Sequence, residues 1–354
     1  MNSLDYYLYT PAGTVLNVSE LRDTTGGMYP IYYYKKESRI FCSSSVHELI
    51  KHKGFNRNPT FKFAQNIQFI SGFETIDSDI SRLSPFEIVL PSGTTVNFSP
   101  TFMNKDIQAF LNTSSEIMID FVHNIERKFP NKRHIILTGG KDSRMILLIP
   151  KINPHKWHIF SSQPDIYYVK DWIRENEIVI YNDIITHDGF CDEDYEFFKT
   201  KVWASDGEFD LIHARWVKRQ IEIAQELGDC IFWIGDTGII FSPNVFCKME
   251  DKKDYFDELL IRAYGFHGTK NQMIFNMTKC PRLTPYFAPA MLRLYENFDF
   301  SVIDRDYRED LANIIAEREI WWEKAYPNVN CYFYPFDYNI EKIYLEKLEE
   351  DNHE

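Results

Sequence analysis

Cysteine is sparse and unpatterned in this 354-residue chain. Its six cysteines stand at 42, 191, 230, 247, 280 and 331, with no CxxC pair and no Cys/His cluster at zinc spacing. That spacing argues against a structural zinc site, and a chain of this length has no need of a disulfide framework. Six separate reduced thiols, mostly buried, are expected. Long apolar runs are also missing, since none approaches the roughly 18–20 residues of a membrane helix. The opening MNSLDYYLYTPAGTVLNVSE has neither a basic segment nor a continuous apolar core, so no signal peptide is expected in it. Positive charge is in deficit: 39 Lys and Arg face 52 Asp and Glu, for a net charge of -13. Such a balance repels polyanions and weighs against a broad nucleic-acid surface. Repeats and low-complexity stretches are absent. The chain reads as soluble and cytoplasmic, with no membrane partner.

What is present is ample core material, 44% apolar and 16% aromatic residues, and room for two ordinary domains. The first hundred residues read as β-rich. Residues 30–35 (PIYYYK) and 39–43 (RIFCS) form a hairpin signal, and 44–52 a short helix with Ser45 at its cap and Glu48 three residues on. Residues 86–90 and 95–98 suggest a second strand pair. The tyrosines at 6, 7, 9 and 32–34 suit packing in a sheet better than a stacking platform.

Beyond Pro100 the pattern changes. Residues 105–129 carry apolar side chains at helical spacing up to Pro130. Strands are expected at 134–137, 157–161, 179–185 and 230–234, with helices at 143–149, 170–178, 192–202 and 212–227. This alternation argues for an α/β fold, a parallel sheet with helices on both faces. From residue 252 helices dominate, ending in an acidic amphipathic segment at 340–350. The expected division is a β-rich domain over 1–101 and an α/β domain with a helical tail over 102–354.

Chemistry concentrates in HIILTGGKDSRMILL, residues 134–148. An apolar strand runs into Thr138, Gly139, Gly140, Lys141, Asp142 and Ser143, where a helix begins. Two glycines let backbone N–H groups approach an anion, Thr138 and Ser143 supply hydroxyls, and the helix N-terminus adds partial positive charge. The spacing is neither GxxxxGK[ST] nor GxGxxG, which excludes a Walker loop and a dinucleotide fingerprint. The plainer alternative is a Gly-Gly turn capped by Asp142.

TGGKDS resembles the SGGxDS loop of the ATP pyrophosphatases, which grips the β- and γ-phosphates of ATP and releases AMP and pyrophosphate. Residues 199–241 resemble the asparagine-synthetase-like branch of that superfamily, which includes β-lactam synthetases and lasso-peptide cyclases. Gly235, Asp236 and Gly238 match its GDGGDELF-like turn, but the usual Asp-Glu is replaced by Ile239 and Ile240. Residues 31–50 and 75–93 resemble that family's glutaminase domain. The chain begins Met1, Asn2, Ser3, and its first cysteine is Cys42, within an expected strand, so the domain reads as a degenerate Ntn glutaminase.

The resemblance implies a HUP-like, PP-loop sheet and an AMP-forming ligase using ATP and Mg2+. Its partners would be a small-molecule or peptide carboxylate, an amine or ammonia, and a second copy of the chain or a pathway protein. It implies Lys141, Arg144 and Asp142 as catalytic groups, with Arg144 reaching phosphate or a carboxylate. Asp142 and Asp236 would hold magnesium, and Phe160, Ser161 and Ser162 would meet the adenine, beside Gly235.

The acidic loop at 205–210, with Asp206 and Glu208, is either a base and amine-binding element or a solvated loop before a helix. Asp165 is either a helix cap or a ligand, and His187 reads as a solvated or capping residue. No lysine stands among Arg305, Arg308 and Arg318, where ring-closing relatives carry one, and Trp321 with Trp322 suits helix packing. A thiolation-type pyrophosphatase, using Cys191 or Cys230, and a non-catalytic nucleotide-binding scaffold are the competing functions.

Overall fold

The computed structural model describes residues 6, 10–11, 13–23, 29–61, 75–83, 87–93, 95–97, 104–138, 140–162, 165–187, 214–235, 238–242, 269–322, 345–346 and 348–350. Three sheets organise them. In the first, β1 (Leu16–Val18), β4 (Arg39–Ser43), β3 (Tyr32–Lys36) and β5 (Ser81–Arg82) lie in that order, all antiparallel. The β3–β4 hairpin forms where the two aromatic runs predict it. Glu37 and Ser38 turn it at φ 50° and 60°, the left-handed pair whose twist suits a two-residue turn.

Side chains alternate across β3. Tyr32 and Tyr34 pack with Val46, Leu49 and Ile50 of α1 (Val46–Lys53), while Tyr33 joins Ile40 and Cys42 in the main core. The tyrosines are sheet packing, as expected. Ser45 precedes α1 as expected, but its hydroxyl meets His47 Nδ1 at 3.1 Å instead of capping the helix. A second small antiparallel sheet joins β2 (Leu21–Arg22), β6 (Glu87–Val89) and β7 (Thr95–Asn97), the last two as the expected pair.

The third sheet is wholly parallel. β8 (Arg133–Leu137), β9 (Trp157–Ser162), β10 (Ile185–His187), β11 (Cys230–Ile234) and β12 (Arg282–Leu283) lie in the order β10-β9-β8-β11-β12. Helices cover both faces, because neighbouring residues on one strand point to opposite sides. Ile136, Ile231 and Trp233 face the core built with α2 (Ile107–Lys128), α3 (Lys141–Leu148), α4 (Asp165–Glu175) and α8 (Arg308–Ala316). Ile135 and Phe232 face Val217 and Ile221 of α5 (Ala214–Leu227) and Ile274 of α6 (Thr269–Thr278). A further helix, α7 (Pro289–Glu296), packs on α2. The main core crosses residue 101, since Tyr6, Leu21 and Val89 share it with Phe110 and Leu111.

Several boundaries moved. Helix α4 begins at Asp165, five residues before the expected start, with Ile166, Val169, Trp172 and Ile173 as its buried stripe. The strand expected over 179–185 begins only at Ile185; Val179, Ile180 and Tyr181 are exposed connection. A β-branched run fits a strand and an apolar surface loop equally well, and burial decides. The two-residue β12 was not expected. Trp322 packs edge-on to Trp172 at 6.4 Å, but from the segment after α8 rather than from a helix, and Trp321 is exposed. The expected helix at 192–202 lies outside the described residues. Of 340–350 only the last part is described, with Leu348 buried beside Tyr32 and Leu49.

The amino end of the parallel sheet is a closed polar knot. Glu126, buried at the end of α2, accepts from Trp157 Nε1 at 2.8 Å, Ile152 N at 3.1 Å and Asn153 N at 3.2 Å. Lys151 donates to the carbonyls of Ile146 and Ile149 and lies 4.6 Å over the Trp157 ring. Burial pulls its pKa down to about 7, against the charge of Glu126. His134 stacks on Trp157 at 4.6 Å and accepts at Nδ1 from Trp233 Nε1 at 3.0 Å. Burial holds its pKa down at about 4.

Candidate functional site

Strand order reverses between β8 and β11, so the helices after those two strands leave on opposite faces and a crevice opens at the strands' carboxyl ends. Open α/β sheets take ligands at such a switch point. Here the crevice is an open cleft whose empty space, about 670 Å³, runs into solvent. The expected loop forms one wall: Thr138, Gly140, Asp142 and Ser143 line it, with Phe160 and Ser162 from the end of β9 and Gly235 from the end of β11. Seven of the expected site residues therefore meet in one place.

The loop is built to leave an open helix end. Gly140 is the N-cap of α3, with extended φ −89° and ψ 172° and no side chain to satisfy the first amides. Those angles suit any residue, and a Cβ there would meet nothing within 4 Å. The bare glycine thus leaves space in front of the amides rather than relieving strain. Asp142 lies within the first turn, not at the cap. Ser143 Oγ sits 2.9 Å from Thr138 Oγ1 and 3.0 Å from the Gly140 carbonyl, able to donate to either. The Ser143 hydroxyl therefore ties the loop together within the cleft wall. Thr138 N donates to the Phe160 carbonyl at 2.9 Å, tying the loop to β9.

Gly235 has the opposite reason to be glycine. A Cβ added there would fall inside the backbone of Ser143 and within 2.6 Å of the Asp142 carbonyl carbon. The end of β11 touches the start of α3, and that contact fixes the loop against the sheet.

Distant residues hold the Asp142 carboxylate and its carbonyl. Arg308, the first residue of α8, donates from Nη1 to Asp142 Oδ1 at 2.9 Å. Its Nε and Nη2 fork onto the two oxygens of Asp306 at 2.8 and 2.6 Å. Burial alone would lower the Arg308 pKa, but the bonds to Asp306 and the charge of Asp142 outweigh it and raise the value. Tyr286 donates its hydroxyl to the Asp142 carbonyl at 2.7 Å.

Of the two Asp142 carboxylate oxygens that could serve the expected magnesium role, Oδ1 already accepts from Arg308. The second expected ligand, Asp236, lies outside the described residues. So do Gly139, Asp206 and Glu208. Ile240, where the resemblance has an acid, is buried in the main core beside Phe241, which packs on Phe110 and Tyr286. Among the described residues no group of three His, Cys, Asp or Glu is arranged to hold a metal.

Three other expected site residues lie off the cleft lining. Arg144 is fully buried, its guanidinium carbon 5.6 Å over the Trp172 ring of α4, and it does not line the cleft. Lys141, half-buried at the start of α3, also stays off the cleft lining, and its charge acts on Asp306. Ser161 is buried on β9 opposite Thr186 and points away from the cleft that Phe160 and Ser162 line.

Sequence reasoning missed Gln220 and Arg282, both buried and both lining the cleft, and left Asp165, which also lines it, undecided. Gln220 had a readable signal: it occupies the apolar stripe of α5 between Val217 and Ile221, where a polar residue asks for a reason. Arg282 begins β12, and its backbone N–H donates to the hydroxyl of Tyr29, from the N-terminal region. Cys42 is buried in β4 and burial pushes its thiol up to about 12, the state of an inert core thiol. No protein-family model matches the chain, and no curated protein does.

Proposed function

We propose that this chain is an AMP-forming, ATP-dependent carbon–nitrogen ligase of the asparagine-synthetase-like kind. Its HUP-like sheet would carry a PP-loop, and its N-terminal region would be a degenerate glutaminase. The observation that carries the reading is the uncapped, glycine-fronted N-terminus of α3 opening into the switch-point cleft. Backbone amides and the helix dipole there suit an anion of the size of a polyphosphate. The apolar Leu137, Phe160 and Ile234 suit a flat base nearby.

In this reading a carboxylate oxygen attacks the α-phosphorus of ATP, the bond to pyrophosphate breaks, and an acyl adenylate forms. An amine or ammonia then attacks the acyl carbon, AMP departs, and the amine loses its proton to a base. Catalysis is positioning and charge stabilisation. Cys42, buried and held protonated, is no glutaminase nucleophile, so the nitrogen comes from the second substrate or from free ammonia. The substrates expected are a small or peptide carboxylate and an amine. A cytoplasmic setting suits ATP use, and among the described residues no helix is long and apolar enough to cross a membrane.

A second reading, nucleotide binding without turnover, is favoured by Ile240 in the core and by the Arg308 bond to Asp142. Thiolation is not favoured: Cys230 lies at the amino end of β11, away from the cleft, and Cys191 is outside the described residues. Incubation with α-labelled ATP and pooled acids and amines separates the readings. AMP that disappears in Asp142→Ala supports the ligase, ADP rules out the loop assignment, and binding with no AMP in any pool selects the second reading.

A further inference from the structure

Two cysteines far apart in the chain meet at the amino end of the parallel sheet. Phe232 of β11 pairs with Arg282 of β12, and Phe232 N donates to the Pro281 carbonyl at 2.8 Å. Carried two residues back, that register sets Cys280 opposite Cys230. Both lie on the α5 and α6 side of the sheet, in one cluster with Phe232, Val217 and Ile274. Neighbouring strands run about 4.8 Å apart, inside the range of about 4.4–6.8 Å between Cα atoms that a disulfide spans.

The two side chains already touch, since the Cys230 thiol donates to the Cys280 sulfur. That bond lowers the Cys280 thiol against the effect of burial, with help from the Cys230 backbone N–H. The same bond, and burial after it, raise the Cys230 thiol. One sulfur is thus biased toward thiolate and its neighbour toward thiol, as an attacking and a resolving sulfur need to be. Both are buried, yet the residue just ahead of each, Asp229 and Lys279, is exposed. The pair therefore lies one residue beneath the surface, within reach of a small oxidant. Cys42 sits in a different cluster, and burial pushes its thiol up to about 12.

We propose that Cys230 and Cys280 form a reversible disulfide with hydrogen peroxide as the oxidant, bracing β12 and its cleft residue Arg282 against β11. The Cys280 thiolate attacks one peroxide oxygen, the O–O bond breaks, and a sulfenic acid and hydroxide form. The Cys230 sulfur then attacks the Cys280 sulfur, the S–S bond forms, and the sulfenic hydroxyl leaves with the Cys230 proton as water. Two electrons pass from the sulfurs to the peroxide, which ends as two waters once the first hydroxide takes up the proton that Cys280 gave away. Because β12 is only two residues long, one covalent tie to β11 constrains all of it. The chemistry of the pair is independent of what the cleft binds.

The full reduced chain is exposed to hydrogen peroxide under native conditions, alkylated in denaturant, digested and analysed by mass spectrometry. The expected product is a peptide pair joined through Cys230 and Cys280 and released by dithiothreitol. These two thiols should be lost at least about tenfold faster than that of Cys42. In Cys230→Ser the Cys280 sulfenic acid lacks its resolving thiol and is captured by dimedone, whereas in Cys280→Ser the Cys230 thiol persists. Hydrogen exchange at the Arg282 and Leu283 amides should be slower in the linked chain than in the reduced one. Cys230 and Cys280 thiols that survive in the wild type, react no faster than Cys42, or end as acids that dithiothreitol does not reverse overturn the disulfide. A linked chain with unchanged exchange at Arg282 and Leu283 overturns the bracing. The wild-type arms decide the matter even if a serine variant does not fold.

Discussion

The two ends of the parallel sheet use buried polar groups in opposite ways. At the amino end, Glu126, Lys151, His134, Trp157 and Trp233 direct their hydrogen bonds to one another and to nearby backbone, and aromatic rings close over them. At the carboxyl end, Gln220 and Arg282 are equally buried yet line an open cleft, and the first amides of α3 face it without a capping side chain. A closed network contributes stability and is costly to interrupt; an open one keeps binding capacity for a ligand. β8 and β9 serve both ends, with His134 and Trp157 toward their amino ends and Leu137, Phe160 and Ser162 lining the cleft at the other. On β11, by contrast, Trp233 stands next to the cleft-lining Ile234, and its indole reaches back to His134.

Breaking the closed end should cost the most. Glu126→Ala leaves the Trp157 indole, two backbone N–H groups and the Lys151 ammonium without their acceptor or counter-charge. The expected loss is about 4 kcal/mol by denaturant unfolding, with little change in ligand affinity below the transition. Gly235→Ala comes next and acts on both fold and site. A methyl group cannot share space with the Ser143 backbone, so β11 and α3 must part. A loss of about 3 kcal/mol, as for an overpacked core, is expected together with impaired ligand binding.

A smaller effect tests the closed end by pH. The folded pKa of His134, about 4, lies below its ordinary value of about 6.5, so the unfolded chain binds the proton first as pH falls. Stability from this group is complete above about 6.5 and is lost progressively down to about 4, to a total of about 3 kcal/mol at most. Unfolding curves of wild type and His134→Asn should converge through that window. A constant gap between them would mean that His134 titrates normally in the folded state. Smallest in stability should be Gly140→Ala, within about 1 kcal/mol of wild type, because its angles suit alanine and nothing opposes the methyl group.

The strand–loop–helix unit at 133–148 and the strand at 230–234 were legible because each is a local pattern: a buried apolar run, then glycine or a helix start. The two-sided sheet followed from their alternation with helices. The placement of Arg144 was not legible because adjacency in a motif says nothing of direction: its turn of α3 carries it under α4, onto Trp172, while Asp142 lines the cleft. The partner of Asp142 could not be read at all, since Arg308 lies 166 residues away and reaches it only through the packing of α8 on α3. Gln220 was legible in principle, as a polar residue in an apolar helical stripe. Arg282 was not, because a two-residue strand leaves no periodicity to read.

The most direct test of the cleft is ATP binding to wild type and to Gly140→Val, measured by calorimetry beside thermal unfolding of both. Valine keeps an extended backbone but fills the space in front of the α3 amides. The expected result is saturable binding by the wild type and a loss of at least about tenfold in the variant, at nearly unchanged thermal stability. Equal binding by both proteins would place the nucleotide elsewhere, and no binding by the wild type would contradict the assignment of the cleft to ATP.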